Sequence, residues 1–149
     1  MNDLTIRRAA RSDIDAVLGL YAQDELSTSP RPADLAPVLE AFDAIASDPH
    51  ASLYVATVGG EVVGTFQINV LRYLSHGGGR VAQIDLVAVA RSTRAKGIGT
   101  KMMRFALAEA RRLDCLRAQL TSQKRRTRAH RFYEKLGFER THEGMKRRV

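Results

Sequence analysis

The stretch from Val87 to Thr100 collects residue types suited to holding a phosphate. An apolar strand, Val87-Ala88-Val89-Ala90, runs into Arg91-Ser92-Thr93-Arg94-Ala95-Lys96-Gly97-Ile98-Gly99-Thr100. A helix opens at the glycines. The N–H groups of a first helical turn have no intrahelical acceptor, and with the helix dipole they form an anion site. Gly97 and Gly99 lack Cβ atoms, so a pyrophosphate can approach the backbone closely. Arg94 and Lys96 add positive charge. The plainer reading is that two glycines merely permit a tight turn. The phosphate-loop signature GxxxxGK[ST] is missing. The dinucleotide fingerprint also fails, because one G-x-G stands without a third glycine in register or an early first strand.

The charge of the chain is unevenly divided. Its 149 residues carry a formal net charge of +8. Residues 1–90 hold 6 Lys and Arg against 11 Asp and Glu, a balance of −5. Residues 91–149 hold 18 against 5, a balance of +13. The split suggests an anionic partner for the second half: nucleic acid, a membrane surface or a phosphorylated small molecule. A hydrophobic fraction of 44% and a charged fraction of 27% are ordinary for a folded globular protein. No apolar run approaches the ~20 residues that cross a bilayer. The opening MNDLTIRR has no apolar core of a secretory signal, and Cys115 is the single cysteine. A reducing cytoplasm is the expected compartment.

The elements that must position the junction follow from periodicity. Residues 4–8 read as a strand. Ser12 offers a helix N-cap with Asp15 three residues on, and Ile14, Val17, Leu18 and Tyr21 follow at helical spacing. Residues 27–32 are a Ser- and Pro-rich break. Leu35, Val38, Leu39, Phe42 and Ile45 line a second helix that Asp48-Pro49 stops. Residues 53–58 and 61–74 make a hairpin about Gly59-Gly60. His76-Gly77-Gly78-Gly79 reads as a flexible loop, and residues 81–89 as a central strand. A helix over 97–113, a strand over 116–121 and a helix over 126–136 capped by Gly137 follow, with an extended segment from Phe138. The order β-α-α-β-β-β-α-β-α-β predicts one α/β or α+β domain over residues 1–149 with a mixed sheet.

Two motifs carry a resemblance. Arg94-x-x-Gly97-x-Gly99 after an apolar strand resembles the acetyl-CoA signature of the GNAT N-acetyltransferases. Downstream, Ala129-His130-Arg131-Phe132-Tyr133-Glu134-Lys135-Leu136-Gly137-Phe138 resembles the family's A-x-x-F-Y-x-x-x-G-F segment. The element order agrees over nearly the whole chain. The resemblance implies a central, mostly antiparallel sheet of six to seven strands flanked by about four helices. It implies acetyl-CoA as cosubstrate and transfer of its acetyl group to a primary amine of a small molecule by direct attack in a ternary complex. Val87, Ala88 and Val89 would pair with the pantetheine arm where the strand splays from its neighbour. The N–H groups from Arg94 through Ala95, Lys96, Gly97, Ile98 and Gly99 to Thr100 would hold the pyrophosphate. Lys124, Arg126 and Arg131 are candidates for the 3′-phosphate, and Ala129 and Phe132 are cofactor-side motif positions.

Tyr133 matches the tyrosine beside the cofactor sulfur, where a phenol can protonate the departing thiolate; the other reading is a packing aromatic. Many members place a Glu where this chain has Gln83, which cannot act as a base. Asp85, two residues on, shares the face of Gln83 and could take over, or could be a charge-paired strand residue. Histidine is the side-chain type that can exchange protons near neutrality, and His76 falls where the aminoalkylphosphonate acetyltransferases have histidine. Within the superfamily, the tail from Thr121 to Phe138 is most similar to those enzymes, through its run from Arg125 to Tyr133, and the H-R-F-Y-E run is similar to some aminoglycoside and amino-sugar acetyltransferases. Homodimers are common in the family.

Two other functions compete. Lys124-Arg125-Arg126-Thr127-Arg128-Ala129-His130-Arg131 is a basic run suited to nucleic acid, although no recognition motif accompanies it. Gln83 at the base position keeps open a non-catalytic acyl-CoA sensor. Neither a metal nor a membrane is expected. Asp24, Glu25, Asp34, Glu40 and Asp43 hint at a cationic acceptor, whereas a phosphorylated acceptor would want Arg72 or Arg80 nearby.

Overall fold

A computed structural model describes residues 3–24, 26 and 29–149. Glu25, one of the acids noted above, and Ser27 and Thr28 of the expected break lie outside the described residues. The elements are β1 (Leu4–Arg8), α1 (Ile14–Ala22), α2 (Ala36–Ser47), β2 (Ala51–Val58), β3 (Glu61–Arg72), α3 (Ser75–Gly78), β4 (Arg80–Val89), α4 (Ile98–Arg112), β5 (Cys115–Gln119) and α5 (Thr127–Lys135). The strands stand in the order β1-β2-β3-β4-β5. All neighbours are antiparallel except β4 and β5, which are parallel. No helix among the described residues is long and apolar enough to cross a membrane.

Among the described residues the sheet has five strands rather than six or seven, and the helices number five rather than about four. The segment after Phe138 adds no strand. It is exposed from Glu139 to Val149, and among the described residues its one backbone hydrogen bond runs from the Thr141 N–H to the nearby Glu139 carbonyl (3.1 Å). Its charged sequence offers no apolar face for a sheet to bury. The additional helix is α3, in place of the expected flexible loop. His76 (φ 53°) and Gly77 (φ 69°) are left-handed, and glycine supplies most of that turn without a steric penalty.

The start of α1 also differs from expectation. Ser12 lies within a short 3-10 turn, Arg11–Asp13, and Asp13 is the residue before the helix. The Asp13 carboxylate accepts from the Ala10 N–H (2.7 Å) and from both Arg7 nitrogens (2.7 and 3.0 Å). Asp15 instead pairs with Arg31. The Arg7 hydrogen bonds, helped by the Ala10 amide, outweigh burial and hold Asp13 below the ordinary carboxylate range. Its contribution is therefore complete above the unfolded value of about 4 and is lost as pH falls through the lowered folded value. Since Arg7 is 43% exposed, solvent screening weakens the pair. Asp13→Ala should cost about 1–2 kcal/mol at pH 7. In thermal melts the gap to the unsubstituted protein should close below about pH 4; an equal gap at both pH values would contradict this reading.

Register sorts the sheet into two faces. Gly64, Phe66 and Ile68 of β3 share a face with Ile84 and Ala82 of β4. This face packs on α4: Met102, Met103 and Ala106 are fully buried there, and a Cβ on Gly64 would stand 2.5 Å from the Met102 sulfur. Tyr54 stacks on Phe66 (5.1 Å between centroids), and Phe105 of α4 meets Tyr54 edge-on (5.2 Å). The opposite face carries Thr65, Gln67 and Asn69 of β3 with Gln83 and Asp85 of β4. The Tyr21 hydroxyl of α1 reaches Thr65 on this second face.

Candidate active site

The site begins where β4 loses its β5 neighbour. The two strands pair from Arg80↔Cys115 to Gln83↔Gln119, and no further. β4 continues to Val89 with β3 on one side only, through Thr65↔Ala88 and Gly64↔Val89. The backbone of Val87, Ala88 and Val89 is thus left without a β5 partner, and the Val89 carbonyl accepts from Arg94 Nε (3.4 Å). A bulge shapes this stretch. Leu86 and Val87 together oppose Phe66, and Leu86 is left-handed (φ 54°). A bulge of this kind re-aims the following residues and increases local twist.

Beyond Val89 the chain makes a 3-10 turn, Arg91–Thr93, and enters the loop before α4. Ala95 (φ 63°) and Gly97 (φ 78°) are both left-handed. A left-handed alanine is strained, a condition that persists where surrounding structure enforces it. The first intrahelical bond runs from Lys101 N–H to the Gly97 carbonyl (3.1 Å). Among the described residues, the N–H groups of Ala95, Lys96, Gly97, Ile98, Gly99 and Thr100 have no backbone acceptor. The Arg94 N–H donates to the Arg91 carbonyl (3.3 Å), so the row of N–H groups without a backbone acceptor begins at Ala95. The Arg94 and Lys96 side chains are exposed beside it.

The two sequence motifs meet in space. A Cβ on Gly99 would lie 3.3 Å from the Phe132 ring and 3.8 Å from Val89. Glycine at 99 therefore lets α5 close against the start of α4. The end of α5 holds Tyr133 in place. Phe138 N–H donates to the Tyr133 carbonyl (3.1 Å), and Gly137 N–H to the Glu134 carbonyl (3.0 Å). These are the two bonds of a Schellman cap, with Gly137 left-handed (φ 93°). The cap brings the Phe138 ring to 5.8 Å from the Tyr133 ring, and the Phe132 ring stands 5.1 Å from it. Burial pushes the phenol above its ordinary value, with the nearby Arg126 charge pulling partly back. The phenol is therefore fully protonated at neutral pH. Among the described residues its hydroxyl has no hydrogen-bond partner.

Arg126 and Lys124 are both engaged within the chain. Arg126 pairs with Asp24 (2.6 Å), each side chain being about one-quarter exposed. Burial raises the Asp24 carboxyl, but Arg126, the Leu26 amide and the charge of Arg94 together bring it below the usual range. Lys124 meets Glu143 at 3.4 Å across open surface, where a pair contributes little. Ala129 is half-buried on α5.

On the second face of the sheet, Gln83 and Asp85 are brought together as the strand period required. Gln83 Nε2 donates to Asp85 Oδ1 (3.2 Å). His76 is not with them. It stands exposed in α3, beyond Arg80, and the extended strand from Arg80 to Asp85 alone is about 16 Å long.

The sequence reading missed three residues here. Gln119 Nε2 donates to Gln83 Oε1 (2.8 Å). Gln23 Oε1 accepts from the Arg91 N–H (3.1 Å), and Gln123 Nε2 donates to the Leu26 carbonyl (3.2 Å). With Asp24–Arg126, these bonds tie the segment after α1 to both sides of the gap. Only strand register and tertiary contact reveal them. Of the acids singled out in the first half, Asp24 pairs with Arg126 and Asp43 with Arg11; Asp13 and Asp15 pair with Arg7 and Arg31. Arg80 reaches the Leu113 carbonyl at the end of α4 (3.1 Å), and Arg72 pairs with Arg80 on that same face, away from Asp85. Among the described residues, no group of three or more His, Cys, Asp or Glu could hold a metal ion.

Comparison with known proteins bears on this geometry. The model of the acetyltransferase (GNAT) family matches residues 17–138. An aminoalkylphosphonate N-acetyltransferase of Salmonella typhimurium is 28% identical over 140 residues, 92% of this chain and 86% of its own. A crystal structure of a Bacillus halodurans protein described as a transcriptional regulator is 35% identical, with a TM-score of 0.91, covering 98% of this chain and 99% of that one. Glucosamine-6-phosphate N-acetyltransferase of Arabidopsis thaliana shares the fold, with a TM-score of 0.83 at 20% identity and 97% coverage of both chains.

Proposed function

Because the chain belongs to the acetyltransferase (GNAT) family, we propose that it transfers the acetyl group of acetyl-CoA to a primary amine of a small molecule, by direct attack within a ternary complex. The observation that carries this reading is the open edge of β4 leading into the row of acceptor-less N–H groups from Ala95 to Thr100. That edge suits the amide-containing arm of the cosubstrate, and the row suits its pyrophosphate. Gly97, Ile98, Gly99 and Thr100 supply the helix-start amides, with Arg94 and Lys96 as flanking charges. Phe132 and Ala129 form the α5 side, and Lys124 and Arg126 are the cations available to the remaining phosphate once Glu143 and Asp24 are displaced.

Three tasks fall to this chain's own residues. The acceptor amine must lose a proton before it can attack, and Asp85 is the carboxylate on the polar face that can accept it. Gln83 orients Asp85 rather than acting as a base. The departing thiolate needs a proton, and the Tyr133 phenol, protonated and without an internal partner, can give it. His76, in α3 before the start of β4, takes no part in this reading. Arg72 and Arg80 lie across the sheet, which weighs against an acceptor held through a phosphate or phosphonate by those residues.

Acetyl-CoA should raise the melting temperature, since it binds only the folded state. At a hundredfold excess over Kd the expected stabilisation is about 2.7 kcal/mol, or roughly 5–10 °C for a chain of this size. No shift at millimolar ligand would overturn the cosubstrate assignment. A shift without thiol release across a panel of polyamines, amino sugars, aminoglycosides and aminophosphonates would instead indicate a non-catalytic acyl-CoA sensor.

A second reading has support from the description of the Bacillus halodurans relative and from the exposed Lys124, Arg125, Arg128 and Arg131. On that reading the basic surface of α5 contacts nucleic acid. Filter binding with a salt titration separates the two: sequence-dependent binding that survives salt favours the regulator.

A further inference from the structure

We propose that Gln119 is a positioning residue whose amide, acting through Gln83, fixes Asp85 for proton acceptance; this rests on the reading of Asp85 as the base. The three side chains form one line across the second face of the sheet. Gln119 Nε2 donates to Gln83 Oε1 at 2.8 Å, and Gln83 Nε2 donates to Asp85 Oδ1 at 3.2 Å. All three residues are half-buried, so these bonds are shielded from competition by bulk water.

The direction of the line is forced from its carboxylate end. An ionised carboxylate only accepts hydrogen bonds. Gln83 must therefore turn its NH2 group towards Asp85, which leaves its carbonyl oxygen at the other end. That oxygen also only accepts, so Gln119 must present its own NH2 group. Each amide then has one orientation that satisfies the line, and the Gln119 donor secures the Gln83 end of it.

The line also lies where it is useful. Gln83↔Gln119 is the last pair before β4 and β5 separate, and Asp85 stands two residues further along β4, beside the open gap. Gln67, directly across from Asp85 on β3, donates instead to Asn69 Oδ1 (3.2 Å) and does not compete. Among the described residues, Asp85 Oδ2 has no partner. One carboxylate oxygen is thus held and the other is left to take a proton. Gln83 replaces the family's usual carboxylate not by doing its chemistry but by steering the neighbouring one.

Reversing the donor at position 119 tests this. Gln119→Glu puts an acceptor where the donor stood, so Gln83 turns its NH2 group to the new carboxylate and its carbonyl towards Asp85. The expected result is a fall in kcat of about tenfold, with the KM for acetyl-CoA changed less than about twofold. In an Asp85→Asn background the same substitution should cost less than about twofold, because the asparagine amide can donate to the turned carbonyl and no carboxylate remains to be steered. Gln119→Met, which removes the donor without adding charge, gives the same comparison if Gln119→Glu does not fold. Equal losses in both backgrounds, or an unchanged kcat in either position-119 variant, would overturn the proposal. An unchanged kcat in Asp85→Asn alone would overturn the reading of Asp85 as the base, which is a distinguishable outcome.

Discussion

Tyr133→Phe is expected to lower kcat by about a hundredfold to a thousandfold while leaving acetyl-CoA affinity within about twofold. The substitution removes one oxygen and little else. The ring keeps its contacts with Phe132 and Phe138, and the Schellman cap at Gly137 is built from backbone groups that do not change. What is lost is a phenol that burial holds protonated and that no described residue engages. A thiolate leaving without a proton donor must be protonated by water, which raises the barrier of that step alone. Steady-state turnover with thiol detection, alongside calorimetric titration of acetyl-CoA, separates the two effects. Unchanged turnover would make Tyr133 a packing residue and remove it from the mechanism. A matching loss in affinity would mean that the hydroxyl holds the cosubstrate rather than assists the chemistry.

The parts of the site that were legible in the sequence are those set by short-range rules. The glycines at 97 and 99 announce a helix start that a phosphate can approach, and Gly137 announces the cap behind Tyr133. Both follow from what a Cβ would block or what a positive φ requires. The shared face of Gln83 and Asp85 follows from the period of a strand. The bulge at Leu86 does not, because its left-handed residue is a leucine and carries no local signal. Nor does the separation of β4 from β5, which is a matter of where pairing stops. The same limit hid Gln119: in Cys-Leu-Arg-Ala-Gln nothing marks it until β5 is laid in register beside β4.

The charge asymmetry shows the limit of composition in another form. The surplus of acid in the first half hints at a cationic acceptor, but one of the acids behind it, Asp24, is met by an arginine drawn from the basic half. Arg126 meets Asp24 across the gap, next to Tyr133. A sum of charges cannot register a pair that spans the boundary between the two halves. The basic excess is better accounted for: both motifs that form the anion-binding side lie within it. The exposed Lys146, Arg147 and Arg148 at its end lie outside both motifs.

Asp85→Asn is expected to reduce kcat/KM at neutral pH by about a hundredfold or more, and the deficit should shrink as pH rises. The sign comes from the acceptor. A primary amine with a pKa near 10 is almost wholly protonated at pH 7, and only its neutral form can attack. The unsubstituted protein removes that proton on the enzyme; the variant depends on the small fraction of acceptor that arrives neutral. Raising the pH from 7 to 9 enlarges that fraction about a hundredfold for such an amine. The variant should therefore gain on the unsubstituted protein across that range. Asparagine keeps the size of the side chain and can still meet Gln83 once its amide turns, so a loss of fold is not the expected cause. A deficit that stays constant from pH 7 to 9 would show that Asp85 shapes the site without taking the proton. A narrowing deficit, with acetyl-CoA binding unchanged, is the signature of a base whose task solvent can take over.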